Sequence, residues 1–244
     1  MEKVVIATMT FYKSMQEMRA GLALRTAKEA QKYDYPLIVV DGGSAPEFIG
    51  AMGAFGAVIH PQKEKGLGPA HRQLFTLAAE AAGENGLVDW VEAEKWPLIA
   101  ELHKINRPIL DGEADLVMPV RTEEAWASYP PTQMHQEKFC NLVMKSMFPA
   151  IDADWFWGPF AANRRALLHF EIYQGEGYNG RSVPKIYAIA AGCRMQGVEV
   201  SYLHPPEQTQ EEFGNLFYDL RRVKQVEQVA AMAAAARGLG LIRP

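Results

Sequence analysis

Cysteine is scarce: Cys140 and Cys193 are the only two, far apart and at no spacing that suits a metal or a redox pair. Both are expected as buried thiols of a reducing compartment, which makes the expected location cytoplasmic. Charge of one sign is lacking as well. Lys and Arg number 25 against 29 Asp and Glu, a net charge of −4, so the overall field gives no reason to expect nucleic acid or an anionic membrane. No apolar run approaches the ~20 residues of a membrane span. The most apolar late stretch, residues 229–236, is short and flanked by charge. The opening Met1-Glu2-Lys3, followed by Val4-Val5-Ile6-Ala7, reads as a lead into a strand and not as a targeting segment. Internal repeats, low-complexity linkers and domain boundaries are not visible, so one domain over residues 1–244 is expected.

What is present is a strand–helix alternation. Residues 4–8 and 36–40 are short continuous apolar runs, the mark of strands buried on both faces. Further strands are expected at 58–59, 88–91 and 116–120. Ser14 with Glu17, and Ser44 with Glu47, have the spacing of capping boxes and predict helix starts. A third helix is expected over 69–82. This order predicts an α/β protein with a mostly parallel central sheet flanked by helices, with ligands bound beyond the carboxyl ends of the strands. The second half is less regular: a loop at 123–131, helices near 132–148 and 182–193, and a strand at 199–203. Phe213, Leu216, Phe217, Leu220, Val223 and Val226 then mark an amphipathic C-terminal helix, about 211–237, which makes a homo-oligomer a reasonable expectation. Arg221, Arg222 and Lys224 are assigned to its solvated face.

Three places could hold chemistry. Asp41 ends the second strand in Val39-Val40-Asp41-Gly42-Gly43-Ser44, where a carboxylate can receive a nucleoside or organise the turn itself. Lys65-Gly66-Leu67-Gly68-Pro69-Ala70-His71-Arg72 brings a glycine turn into a helix with Lys65 and Arg72 beside it, a setting that suits phosphate. It is neither a Walker A loop nor a Rossmann fingerprint. Glu92 and Glu94, in Val91-Glu92-Ala93-Glu94-Lys95, leave the fourth strand; two carboxylates there suit a divalent cation, or an ion pair with Lys95. Trp126, Tyr129, Trp155 and Trp157 could stack on a sugar or simply fill the core.

Taken in order, Thr8, Asp41, the helix start with Arg72 and the acidic pair resemble the GT-A glycosyltransferases, particularly family 2-like members. The segment from Asp154-Trp155-Phe156-Trp157-Gly158 to Arg165 resembles their acceptor side. The resemblance covers about residues 3–205. It implies a nucleotide-binding half at about 1–121, an acceptor-side half at about 122–210, and sugar transfer from a nucleotide-diphosphate sugar to an unidentified acceptor. It further implies that Thr8, Asp41, Lys65, Arg72, Glu92 and Gly158 bind the donor, and that Glu92 and Glu94 stand as a Glu-x-Glu variant of the Asp-x-Asp motif holding Mn²⁺ or Mg²⁺, with His204 as a late ligand. Glu176 is then the nearest carboxylate to serve as base. The residues after the first strand, Thr8-Met9-Thr10-Phe11-Tyr12-Lys13, lack the glycine loop of a sugar nucleotidyltransferase. The alternatives are a non-catalytic sugar-nucleotide binder on a degenerate GT-A fold, which the glutamates in place of aspartates motivate, and a sugar nucleotidyltransferase.

Overall fold

The computed structural model describes residues 3–243; the expectation for the charged lead-in Met1-Glu2 lies outside them. Seven strands form one sheet: β1 (Val4–Thr10), β2 (Leu37–Asp41), β3 (Val58–Pro61), β4 (Leu87–Trp90), β5 (Leu116–Arg121), β6 (Phe160–Asn163) and β7 (Met195–Val200). Their spatial order is β3-β2-β1-β4-β6-β5-β7. Only β6 runs antiparallel, against both β4 and β5. The register aligns Thr10 with Asp41 and Asp41 with Pro61, so these strands end on one line. Trp90, the last residue of β4, pairs with Phe160, the first of β6. That reversal delivers the aromatic turn before Phe160 to the edge where the parallel strands end.

Helices α1 (Met18–Lys32), α2 (Pro46–Ala54) and α4 (Leu102–Leu110) cover one face, together with a 3-10 helix (Trp96–Glu101). Their apolar residues, such as Ala23, Phe48, Leu98 and Ile105, pack on Ile6, Val39 and Val117. The other face is covered by α3 (Leu67–Ala82), α7 (Arg164–Ile172), α8 (Asn179–Ala190) and the second half of α10 (Leu216–Gly238). Phe75 is a hub there, its ring 5.4 Å from Phe170, 5.7 Å from Phe160 and 5.9 Å from Trp90. Burying each such side chain is worth roughly 1.5–3 kcal/mol. Both thiols are buried and free, as expected.

Several local expectations are corrected. Ser14 and Glu17 do bond to one another, but they close a turn, and α1 begins at Met18 behind it. Ser44 caps nothing: its hydroxyl is taken by Asp41 and by the Tyr12 amide, and α2 starts at Pro46. The expected loop at 123–131 contains a short helix, α5 (Glu123–Ala127), capped by Thr122. It is followed by α6 (Pro131–Met147), while α9 (Pro206–Glu212) precedes α10.

The largest correction concerns α10. Arg221 and Arg222, assigned to its solvated face, lie on its inner side, while the apolar stripe is outside: Leu216, Phe217, Leu220 and Val223 are 68%, 64%, 59% and 55% exposed. The polar side faces in, because buried charges on α6 need partners. Arg222 reaches Glu137 at 3.4 Å and Gln133 at 2.6 Å, and Gln225 reaches Glu137 at 2.8 Å. Leaving such groups unpaired would cost more than exposing leucines. None of the described helices is long and apolar enough to cross a membrane.

Candidate functional site

A cleft of about 350 Å³ opens where β1 and β4 end. Its floor is Met9, Trp90 and the β4 exit; its walls are the first turns of α3 and α8, the aromatic turn before β6, and the inner side of α9 and α10. Open parallel sheets leave such crevices at their carboxyl ends because strands on either side connect to helices on opposite faces.

Glu92 and Glu94 both line it, although β4 has ended at Trp90 and the two carboxylates go to different partners. Glu92 accepts from Arg181 Nη1 at 2.7 Å and lies 3.0 Å from Lys95 Nζ. Burial works against its charge, but Lys95 and Arg181 outweigh that and hold the carboxyl well below the usual range. Lys95 is itself buried, its ammonium 5.8 Å from the rings of Trp157 and Tyr202 and 6.0 Å from Tyr129. Glu94 accepts from the Tyr12 hydroxyl at 2.7 Å and faces Arg19 at 3.7 Å. Those contacts use one oxygen; the other meets no donor among the described residues.

Gly158 stands behind the Glu92–Arg181 pair and does not line the cleft. Its φ is +113°, and a Cβ there would fall 2.8 Å from Arg181 Nη1 and 2.9 Å from Glu92 Oε1. The position is glycine because the ion pair lies against its backbone.

Other expected site residues are elsewhere. Thr8 is fully buried within β1, two residues short of the strand's end, and Thr10 takes its place beside Asp41. Asp41 is saturated: it accepts from Thr10 at 2.7 Å, from the amides of Gly43 and Ser44 at 2.8 Å each, and from the Ser44 hydroxyl. It organises the turn after β2. Lys65 is exposed on the loop before α3, away from the cleft walls. Arg72 points to the opposite side of α3, toward the carbonyls of Tyr173 and Gly175 at 3.4 and 3.3 Å. Glu176 is exposed and lies against the start of α3, outside the cleft.

His204 lines the cleft but is shut in by its neighbours, stacked 4.1 Å from the Tyr129 ring, with neither ring nitrogen hydrogen-bonded. Burial, then Lys95 and Arg121, push its pKa down to about 2. Glu212, at 3.8 Å, is its nearest carboxylate. Among the described residues no three His, Cys, Asp or Glu side chains converge on a point that could hold a metal. Glu92, Glu94 and His204 therefore do not form one ligand set. Both oxygens of Glu92 already face a lysine or an arginine, and the one free oxygen of Glu94 is no ligand set by itself, so the donor chemistry does not fit the ion.

Sequence reasoning passed over the cations of this cleft. Arg181 sits in the first turn of α8, Arg19 in the first turn of α1, and Arg221 and Arg222 on the inner side of α10, contrary to their expected solvated role. Nothing in the local sequence distinguishes them from surface arginines; only Lys95, three residues from Glu92, carried a signal. His71, expected on a helix surface, is 1% exposed and packed edge-on to Trp90 at 5.3 Å. Trp126, Tyr129, Trp155 and Trp157 are all buried, and only Trp157 reaches the cleft.

No protein-family model matches this sequence, and no curated protein does. Solved structures do match. Glucosyl-3-phosphoglycerate synthase from Mycobacterium tuberculosis, in complex with Mn²⁺, uridine-diphosphate and phosphoglyceric acid, superposes with a TM-score of 0.61 at 13% identity over 93% of this chain and 78% of that one. The same enzyme with Mg²⁺ and uridine-diphosphate gives 0.59 at 13% identity, covering 95% and 80%. A crystal structure described only as a mycobacterial protein gives 0.62 at 14% identity, covering 100% and 76%. At such identities the likeness shows the fold: the chain has the GT-A arrangement that its sequence resembles.

Proposed function

We propose that this chain is a glycosyltransferase that uses a nucleotide-diphosphate sugar as donor and works as one domain. What supports the reading is the placement of a charged cleft at the carboxyl ends of β1 and β4, beside the reversed strand β6, in a fold shared with enzymes solved with uridine-diphosphate. In the transfer, the bond between the sugar's anomeric carbon and the diphosphate oxygen breaks as the acceptor oxygen bonds to that carbon. The nucleoside diphosphate leaves with the bonding electrons, and the acceptor's proton passes to a base.

Glu94, not Glu176, lines the cleft with one oxygen free of a donor, and it is assigned either the acceptor proton or a sugar hydroxyl. Trp157 and Tyr178 supply ring surface for the sugar. The acceptor is left open. Incubation with a panel of UDP-, GDP-, ADP- and dTDP-sugars tests the reading through release of the nucleoside diphosphate, by hydrolysis or by transfer to added acceptors. Release from one nucleotide class, slowed in Glu94→Gln with little change in donor affinity, supports it. Donor binding without release across all acceptors would make the chain a sugar-nucleotide binder instead.

A further inference from the structure

The cleft's charges balance as a whole, Glu17, Glu92, Glu94, Glu137 and Glu212 against Arg19, Lys95, Arg181, Arg221 and Arg222, but they are unevenly placed. Glu92 is matched by Lys95 at 3.0 Å, and that pair is electrically closed. Arg181, which also reaches Glu92, is therefore a surplus charge. Arg221, across the cleft on α10, has no carboxylate within ion-pair distance among the described residues; its Nη2 donates to the neutral Tyr178 hydroxyl at 2.5 Å. Both guanidinium groups lie beside the Tyr178 ring, 5.1 Å from its centroid for Arg181 and 5.9 Å for Arg221. The amides at the start of α8 already bond the carbonyls of Glu176, Gly177 and Tyr178, so the positive charge here belongs to side chains.

Two guanidinium groups beside one ring, both lining the cleft, one without a carboxylate and the other sharing Glu92 with Lys95, form a site for a doubly charged anion. Each offers planar paired donors that match phosphoryl oxygens, and neither can lose its charge. The diphosphate bridge of a sugar nucleotide carries one negative charge on each phosphoryl group, which this pair would balance. A divalent cation in the same place would sit beside Lys95 and Arg181, and its nearest ligand, Glu92, is already engaged on both oxygens.

We propose that Arg181 and Arg221, with Tyr178 beside them, hold the diphosphate of a nucleoside-diphosphate donor, and that this chain binds its donor without a divalent metal. The inference rests on the glycosyltransferase reading and adds the means by which the leaving group is neutralised. The structurally similar synthase was crystallised with uridine-diphosphate both beside Mn²⁺ or Mg²⁺ and without a metal named.

Calorimetric titration of the whole chain with UDP, GDP and ADP, in EDTA and again in Mn²⁺, tests it. The expected result is one preferred nucleotide whose affinity differs less than about two-fold between the two conditions. Arg221→Gln, which removes a single hydrogen bond to a neutral partner, should weaken that binding roughly ten- to a hundred-fold in EDTA. Glu92→Gln, which removes a competing anion beside Arg181, should tighten it; a metal ligand at that position would show the opposite. Binding that requires Mn²⁺ and disappears in Glu92→Gln would overturn the metal-free site and leave the glycosyltransferase reading standing. Binding of no nucleotide under either condition, by protein whose circular dichroism shows it folded, would overturn that reading and the inference together.

Discussion

Gly158→Ala should be far more damaging than the addition of one methyl group suggests. The backbone at Gly158 has φ +113°, outside the range that side chains accept, and an alanine there carries about 1–2 kcal/mol of strain. Its Cβ would also stand 2.8 Å from Arg181 Nη1 and 2.9 Å from Glu92 Oε1. Both are tips of flexible side chains, so the methyl group fits if the two move apart. Glu92 is held on its other oxygen by Lys95, so the movement falls on Arg181 and breaks a 2.7 Å charge-assisted bond. These side chains are 29% and 12% exposed, so solvent screens the loss only in part. The combined cost is about 2–4 kcal/mol, which in a domain of this size lowers Tm by about 4–16 °C. Thermal and urea unfolding of four proteins (wild type, Gly158→Ala, Arg181→Met and the double variant) would check the argument. With Arg181 gone, Gly158→Ala should cost only its strain, leaving a coupling of about 1–2 kcal/mol between the sites. An equal loss in both backgrounds would refute the steric link to the ion pair. A single variant as stable as wild type would refute the strain as well.

Burial pushes the Asp89 carboxyl up to about 7, against the one hydrogen bond it accepts from Asn106. Between an unfolded pKa of about 4 and that value only the folded chain keeps the proton, so this group's contribution falls as pH rises. Asp89→Asn should flatten the decline and raise Tm at pH 8 more than at pH 5. Lys185 has the opposite sign. Burial, then Arg181, push its pKa down to about 7, so the unfolded chain binds the extra proton, and Lys185→Met should stabilise the fold more at pH 6 than at pH 10. Arg121 is fully buried between Asp154 and Glu137, each at 2.6 Å, and Arg121→Leu should cost about 3–5 kcal/mol, measured by urea unfolding. The outward stripe of α10 predicts self-association: light scattering should show a mass that grows with concentration, and Leu216→Glu with Leu220→Glu should reduce it without lowering Tm.

The first two strands were legible because β1 and β2 each open on a run of four apolar residues, a pattern that burial on both sheet faces imposes. β6 was not: Phe160-Ala161-Ala162-Asn163 is four residues long, follows a dense aromatic turn, and is a strand because the gap between β4 and β5 needs one. At the site, the acidic pair was found from its place after β4, since the strand's direction alone decides where its exit lies. Its partners were not. Arg181 is separated from Glu92 by 89 residues, Arg19 is likewise distant in sequence from Glu94, and an arginine in the first turn of a helix reads as surface until tertiary structure turns that end inward. The inversion of α10 has the same origin. Periodicity finds two faces on a helix, and which of them is buried was settled by unpaired groups on α6 that a local pattern does not contain.

The aromatic box around Lys95 has an optical consequence. Trp157 is buried, donates its indole N–H to Tyr129 at 2.6 Å, and has the Lys95 ammonium 5.8 Å from its ring. A fixed charge that close sets the electric field along the indole, and with it the colour of the emitted light. Lys95 is tied through Glu92 to Arg181, so an anion that draws Arg181 away tightens the lysine on its carboxylate and changes that field. The chain thus carries its own fluorescent gauge beside the cleft, and occupancy could be followed by emission from Trp157, with Trp157→Phe as the blank, before any substrate is known.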